Sequence, residues 1–305
     1  MPSGWGHWLV EAAAVTEPVE GGPVEGFGDR LRTVFDTLGQ LCVGVDPHPY
    51  LLESWGLPDS PSGLLQFGAM VVDAAAGQVG IIKPQVAFFE RHGSGGYAAL
   101  EEVLDLARQS GLLVIADVKR GDVGTSVEAY GQAWLTPGSP LEVDAMTISA
   151  FQGVGSIEAP IRLAYANGKG LFVLAATSNP EARDIQTAKV SRGGSVASSI
   201  VEDVAVWNAE LSAGANGSIG LVLGATVDFD EHGIDLASLT DSPSIPVLGP
   251  GFGHQGAQYS ELDALYGPAA PLVVVSASRS ILQAGPHGIA DAVRTQAREV
   301  WECRA

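Results

Sequence analysis

The sequence predicts an α/β protein built as a (β/α)8 barrel, the TIM-barrel architecture. Three observations carry that reading. Eight short apolar runs recur along the chain. Each is followed by loop-forming residues and then by room for one helix, the runs starting roughly 25 to 50 residues apart. Polar and charged residues collect at or just past the C-terminal ends of these runs, which in a barrel is the face that carries the active site.

In chain order the expected strands are Leu41–Asp46, Val79–Lys83, Leu112–Asp117, Val143–Ile148, Gly170–Ala175, Ile219–Gly224, Ile245–Gly249 and Leu272–Ser276. Helical periodicity is clearest over Leu64–Ala76, Gly96–Ser110, Ser195–Ser212 and Gly288–Trp301. Eight such units in succession favour a closed barrel over a doubly wound open sheet. The first strand also ends in Asp46-Pro47-His48-Pro49, which cannot make the glycine-rich turn of a dinucleotide fold. Segments around Trp134 and Trp207 read as core or interface packing.

With 305 residues and 31.5 kDa, the chain is long enough for one barrel. Residues 1–26, with their Glu, Pro and Gly content, read as a flexible extension ahead of a single catalytic domain at 27–305. The extension has neither the basic region nor the continuous apolar core of a signal peptide. No apolar run is long enough to cross a bilayer, so a cytoplasmic location is expected. Cys42 and Cys303 have no spacing that suggests a disulfide framework, and neither cysteines nor histidines show metal-ligand spacing. His254 is expected to line a phosphate loop, and His48 and His92 to be solvated loop residues.

A net charge of −19 argues against nucleic acid and anionic membrane as partners. An anionic ligand would need a local positive site made from a few of the 16 basic residues. One segment clusters charge of both signs: Asp117-Val-Lys119-Arg120-Gly-Asp122-Val-Gly-Thr-Ser126 follows directly on an apolar strand. Asp117 and Lys119 share strand parity and so point the same way. Charges held at such a position are costly unless paired or used chemically. Lys83, at the end of the second strand, joins them as a lysine in need of a carboxylate.

Two loops suggest a phosphate site. Gly249-Pro-Gly251-Phe-Gly253-His-Gln255-Gly256 follows the seventh strand, and Ser276-Ala-Ser278-Arg279-Ser280 follows the eighth. These are the usual phosphate-binding loops of barrels. Asp46, Lys83, Asp117, Lys119, Ser178, Gln255 and Arg279 thus all fall on the expected active-site face.

Asp117-Val-Lys119-Arg-Gly-Asp122-Val-Gly resembles the signature of the orotidine 5′-phosphate decarboxylase family. Gly44-Val-Asp46-Pro-His-Pro, the segment from Val79 to Glu90, Ala175-Ala-Thr-Ser178-Asn-Pro180 and the Gly249–Gly256 loop resemble the longer, type 2 branch. The resemblance runs from about Phe27 to the C-terminus. It implies a cofactor-free, metal-free enzyme that converts orotidine 5′-monophosphate to UMP and CO2, the last step of de novo UMP synthesis. It further implies that Lys119 protonates C6 of the pyrimidine and that Asp117 faces the substrate carboxylate. Lys83 and Asp122 would complete an alternating Lys–Asp–Lys–Asp array, with Asp122 reaching the site of the partner subunit in a homodimer with shared sites. By the same resemblance Asp46 and Lys83 bind ribose hydroxyls, Ser178 contacts the pyrimidine, and Gln255 and Arg279 hold the phosphate. Ser126 stands where the family more often has threonine, keeping the hydroxyl for ribose or phosphate, and Ser278 stands where glycine is more usual.

Two other functions fit parts of this pattern. A keto-sugar-phosphate decarboxylase or synthase on the same barrel would bind Mg²⁺ and stabilise an enediolate. Against it, Pro84 and Gln85 follow Lys83 where a metal-binding carboxylate would be sought. A non-catalytic pyrimidine-nucleotide sensor would have no need to bury the Lys/Asp array.

Overall fold

The structure is a computed structural model, and it describes residues 24–253 and 256–303. Its eight strands are β1 Leu41–Val45, β2 Ile81–Pro84, β3 Leu113–Arg120, β4 Ala145–Ile148, β5 Gly170–Ala176, β6 Ile219–Leu223, β7 Val247–Pro250 and β8 Val273–Ala277. They close into a barrel in sequence order, β8 pairing with β1 and every pair parallel. All eight expected strands are present. β3 runs three residues beyond its expected end at Asp117, which matters for the site.

Strand parity divides the core. Cys42, Ile81, Leu113, Ile115, Phe172 and Val274 belong to the cluster inside the barrel. The alternate residues Val43, Ile82, Val114, Val173 and Val275 join the cluster beneath the surrounding helices. Helices Pro61–Ala75, Gly93–Gln109, Val196–Leu211 and Gly285–Glu302 match the four with clear periodicity. Trp134 is buried, and Trp207 packs partly buried beneath Arg162.

An additional helix, Phe27–Leu38, closes the N-terminal end of the barrel. Phe27, Leu31 and Phe35 join the interior cluster at i, i+4 and i+8. Phe27 meets Phe172 edge to face at 5.9 Å, and Arg30 bonds Asp144 and the Gly168 carbonyl just before β4 and β5. With that end filled, the open end of the barrel is the C-terminal one.

The expectation of a helix after every strand fails after β6. Among the described residues that connection holds only the short 3₁₀ turn Leu236–Thr240. Its Asp228, Asp230, Gly233, Asp235 and Asp241 favour turns and side-chain caps over a continuous helix. Asp235, for example, accepts the Ala237 N–H.

Candidate active site

Continuing each inward parity to the C-terminal end gives the site. On β2 the inward series Ile81, Lys83 ends beside Gln85; on β3 it is Leu113, Ile115, Asp117, Lys119. These residues line a cavity of about 690 Å³ together with Asp46, Thr147, Ser178, Ser278 and Arg279. The volume suits a nucleotide-sized ligand.

Asp117 is the hub of the site. Its Oδ2 accepts from Lys83 Nζ at 3.1 Å and Gln85 Nε2 at 2.8 Å. Its Oδ1 accepts from Lys119 Nζ at 2.5 Å and the Thr147 hydroxyl at 2.9 Å. One carboxylate therefore holds two ammonium groups with both oxygens occupied. Burial pushes the Asp117 pKa up, but the charges and hydrogen bonds of Lys83 and Lys119 outweigh it and hold the carboxyl well below the usual range. Burial is also the largest influence on Lys83, acting downward. Asp117 and then Asp46 overcome it, so the ammonium is held above the ordinary lysine range. The side chains of Lys83 and Asp117 are each 9% exposed, whereas that of Lys119 is 48% exposed and stands at the open side of the cavity.

A break in the β3–β4 ladder aims Lys119. Ala116 pairs with Met146 and Arg120 with Ile148, so four steps on β3 oppose two on β4. Within this bulge Lys119 has φ of 45°, the one positive value among the described non-glycine residues. Its N–H donates to Thr147 Oγ1 at 2.9 Å. Strain of this kind persists only where its surroundings hold it, and it concentrates at functional positions. The same turn sends Arg120 outward to Glu90 and Tyr97.

The phosphate-loop residues lie across the cavity. Arg279 is half-buried, and among the described residues it has no ion-pair partner. Gly251 and Gly253 adopt φ of 123° and 72°. At Gly253 a Cβ would lie 2.9 Å from Ser280 Oγ, so the loop can sit against the β8 turn only with glycine there. Ser178 is exposed at the rim. His48, expected to be solvated, is instead partly buried in the cavity wall, its ring 4.2 Å from that of Phe88. Burial, with Arg279 adding to it and Asp46 opposing, lowers its pKa. His92 contacts Asp59 at 3.1 Å, away from the cavity.

Not every expected site residue meets this cavity. Asp122 lies beyond the end of β3 and accepts the neighbouring Val123 N–H. Ser126 is exposed in the first turn of helix Gly124–Leu135. Neither lines the cavity of its own chain. His254 and Gln255 lie outside the described residues, as does most of the 1–26 extension. Two contributors were not anticipated from the sequence as ligands of the charge array, Thr147 and Gln85. Thr147 sits at an inward position on β4 and Gln85 continues the inward parity of β2 one residue past its end, and that parity is the signal that could have found them.

Among the described residues no three His, Cys, Asp or Glu side chains gather as a metal-ligand set. At the position considered for a metal-binding carboxylate, Gln85 presents an amide that donates to Asp117.

Comparison with known proteins gives a consistent result. Residues 39–292 match the family model described as orotidine 5′-phosphate decarboxylase / HUMPS family. An orotidine 5′-phosphate decarboxylase of Salinispora tropica is 46% identical over 285 residues, covering 92% of this chain and 98% of its own length. That of Corynebacterium glutamicum strain R is 45% identical over 266 residues, covering 85% and 91%. A crystal structure of a Streptomyces avermitilis protein assigned the same activity superposes with a TM-score of 0.85 at 41% identity, covering 94% of this chain and 99% of that one. The Leishmania donovani OMP decarboxylase gives a TM-score of 0.71 at 26% identity, covering 91% and 98%.

Proposed function

The chain belongs to the orotidine 5′-phosphate decarboxylase / HUMPS family, and on that footing we propose that it decarboxylates orotidine 5′-monophosphate to UMP and CO2, completing de novo UMP synthesis. The observation that carries this reading is the Lys83–Asp117–Lys119 array at the barrel mouth. Breaking the C6–carboxylate bond releases CO2 and leaves an electron pair on C6 of the pyrimidine, with no carbonyl placed to delocalise it simply. A fixed ammonium beside C6 stabilises that charge and then supplies the proton that forms the new C–H bond. Lys119 is that acid. Its Asp117 partner holds the ammonium in position and opposes the substrate carboxylate in the ground state, an interaction relieved as CO2 leaves.

Lys83 and Asp46 take ribose hydroxyls, Ser178 the pyrimidine, and Arg279 with Gln255 the phosphate. Phosphate binding, remote from C6, supplies energy for ordering the loops around the reacting carbon. Asp122 and Ser126 serve the cavity of a second copy in a homodimer. Their absence from their own cavity supports this, as do the exposed Val123 and Phe151 beside them. No cofactor takes part. Cys42 and Cys303 are free thiols, which suits the reducing cytoplasm, where we take the chain to act.

The test is turnover of orotidine 5′-monophosphate by purified protein in excess chelator, followed by loss of substrate absorbance and release of CO2. Well-folded protein inactive under those conditions would exclude the assignment. Activity restored only by Mg²⁺ would favour the metal-dependent alternative. Lys119→Ala should abolish turnover while still binding UMP, and near-normal turnover by that variant would remove Lys119 as proton donor.

A further inference from the structure

Three buried side-chain atoms have no hydrogen-bond partner among the described residues: Asp46 Oδ1, Ser278 Oγ and His232 Nε2. Buried polar groups are nearly always paired, so each such atom needs an explanation. Two of the three lie together in the active-site cavity, on the neighbouring strand ends of β1 and β8. Asp117, by contrast, has both carboxylate oxygens occupied by donors of the protein.

The backbone brings these two side chains to the same place, either side of Gly44. Cys42 pairs with Ser276 and Val43 with Ala277, which brings Gly44 alongside Ser278. A Cβ at Gly44 would lie 2.7 Å from Ser278 Cβ, 3.1 Å from Ser278 Oγ and 3.3 Å from Asp46 Oδ2. Glycine at 44 is therefore what allows the Ser278 side chain to turn in beside Asp46. Ser278 also precedes the turn Arg279–Leu282, where a serine would ordinarily cap the backbone, yet its hydroxyl makes no capping bond. The hydroxyl is left without a partner, on a residue that lines the ligand cavity.

We infer that Ser278 is a specificity-determining residue for the sugar, its hydroxyl and Asp46 Oδ1 together gripping one ribose hydroxyl of the nucleotide. A carboxylate can only accept, whereas a serine hydroxyl both donates and accepts. A ligand hydroxyl satisfies both, donating to Asp46 and accepting from Ser278. A phosphate oxygen could accept from Ser278 but would meet the Asp46 carboxylate at close range. The sugar is thus the better match, although Arg279 is the next residue. This inference rests on orotidine 5′-monophosphate being the substrate.

The test compares wild type, Ser278→Ala and Ser278→Gly on orotidine 5′-monophosphate and on its 2′-deoxy and 3′-deoxy analogues. On the parent substrate each variant should lose about tenfold in kcat/KM, mainly as a raised KM. On the analogue lacking the gripped hydroxyl, variant and wild type should agree within about twofold, because the contact is already gone. Equal losses on all three substrates would point to the phosphate and overturn the inference, as would unaltered kinetics on the parent. Affinities for UMP and its two deoxy analogues, measured by calorimetry on protein of verified thermal stability, give the same comparison without chemistry. If wild type binds UMP with this sugar-dependent pattern but does not turn over orotidylate, the activity fails and the Ser278 contact stands. If turnover is normal and the pattern is absent, only the Ser278 contact fails.

Discussion

Asp117 shows how far one residue can be argued from its surroundings. Its folded-state pKa is lowered, so the stability it contributes is fully present above its unfolded value near 3.8 and is lost as pH falls through the folded value. Lys83 is the mirror case. Its contribution is fully present below the unfolded value near 10.5 and is lost as pH rises through the raised folded value. Asp117→Asn removes the acidic limb and leaves Lys83 buried without its nearest charge. It should cost about 3 kcal/mol at neutral pH, typical of breaking a buried pair. Urea unfolding at several pH values should show the gap between wild type and variant constant at neutral pH and narrowing below about pH 4. A gap independent of pH would mean that the loss is steric. In the sequence, Asp117 and Lys119 were legible because parity at a strand end puts them on one side. The bulge that carries Lys119 to φ of 45° was not, since nothing in Val118–Gly121 marks a break in the β3–β4 ladder. Thr147 was hidden for a related reason: threonine in a strand is ordinary, and its role appears only once β4 lies beside the bulge.

Elements differ in how openly the sequence declares them. The strands were legible because runs such as Leu112–Ala116 are apolar on both faces, as a parallel sheet covered by helices requires. Helix Phe27–Leu38 presents a narrow stripe of three large residues among charged ones, and its apolar face answers to the barrel interior rather than to a neighbouring helix. Phe27→Ala should therefore behave as a core deletion, costing about 3–5 kcal/mol in denaturant unfolding while leaving kcat/KM of the folded protein unchanged. A loss below about 1 kcal/mol would show that the helix is not integral to the core. Helix Gly285–Glu302 has a role nearer the chemistry. Gln296 accepts from Tyr259 at 2.5 Å and from Ser280 at 3.0 Å, and donates back to the Ser280 carbonyl at 3.1 Å. One side chain thus joins the loop after β7 to the turn after β8, the two halves of the proposed phosphate site. Gln296→Leu should raise KM for orotidine 5′-monophosphate about three- to tenfold with a smaller change in kcat. It should leave any turnover of the nucleoside orotidine, which lacks the phosphate, unaffected. An equal effect on nucleoside and nucleotide would assign Gln296 to general stability.

For the whole molecule, the net charge of −19 works against both the anionic substrate and self-association. Five cavity-lining charges, Lys83, Lys119 and Arg279 against Asp46 and Asp117, leave a local excess of one positive charge to receive the nucleotide. In the proposed homodimer a second copy would approach against like charge, which leaves apolar surface to make the contact. Phe151 and Val123, 79% and 53% exposed, offer such surface on the loops that end β4 and β3. The Ser149 N–H donates to the Arg120 carbonyl, tying those loops together beside Asp122. If each site combines Lys119 of one chain with Asp122 of the other, neither Lys119→Ala nor Asp122→Ala protein should be active alone. In a mixed dimer, however, the chain carrying Asp122→Ala keeps its Lys119 and receives an intact Asp122 from its partner, restoring one complete site. Random exchange makes half the dimers mixed, each with one good site of two, so activity should recover to about a quarter of wild type. Because like charges oppose association, recovery should survive greater dilution in higher salt. No recovery after verified subunit exchange would place all of the catalytic charges within a single chain.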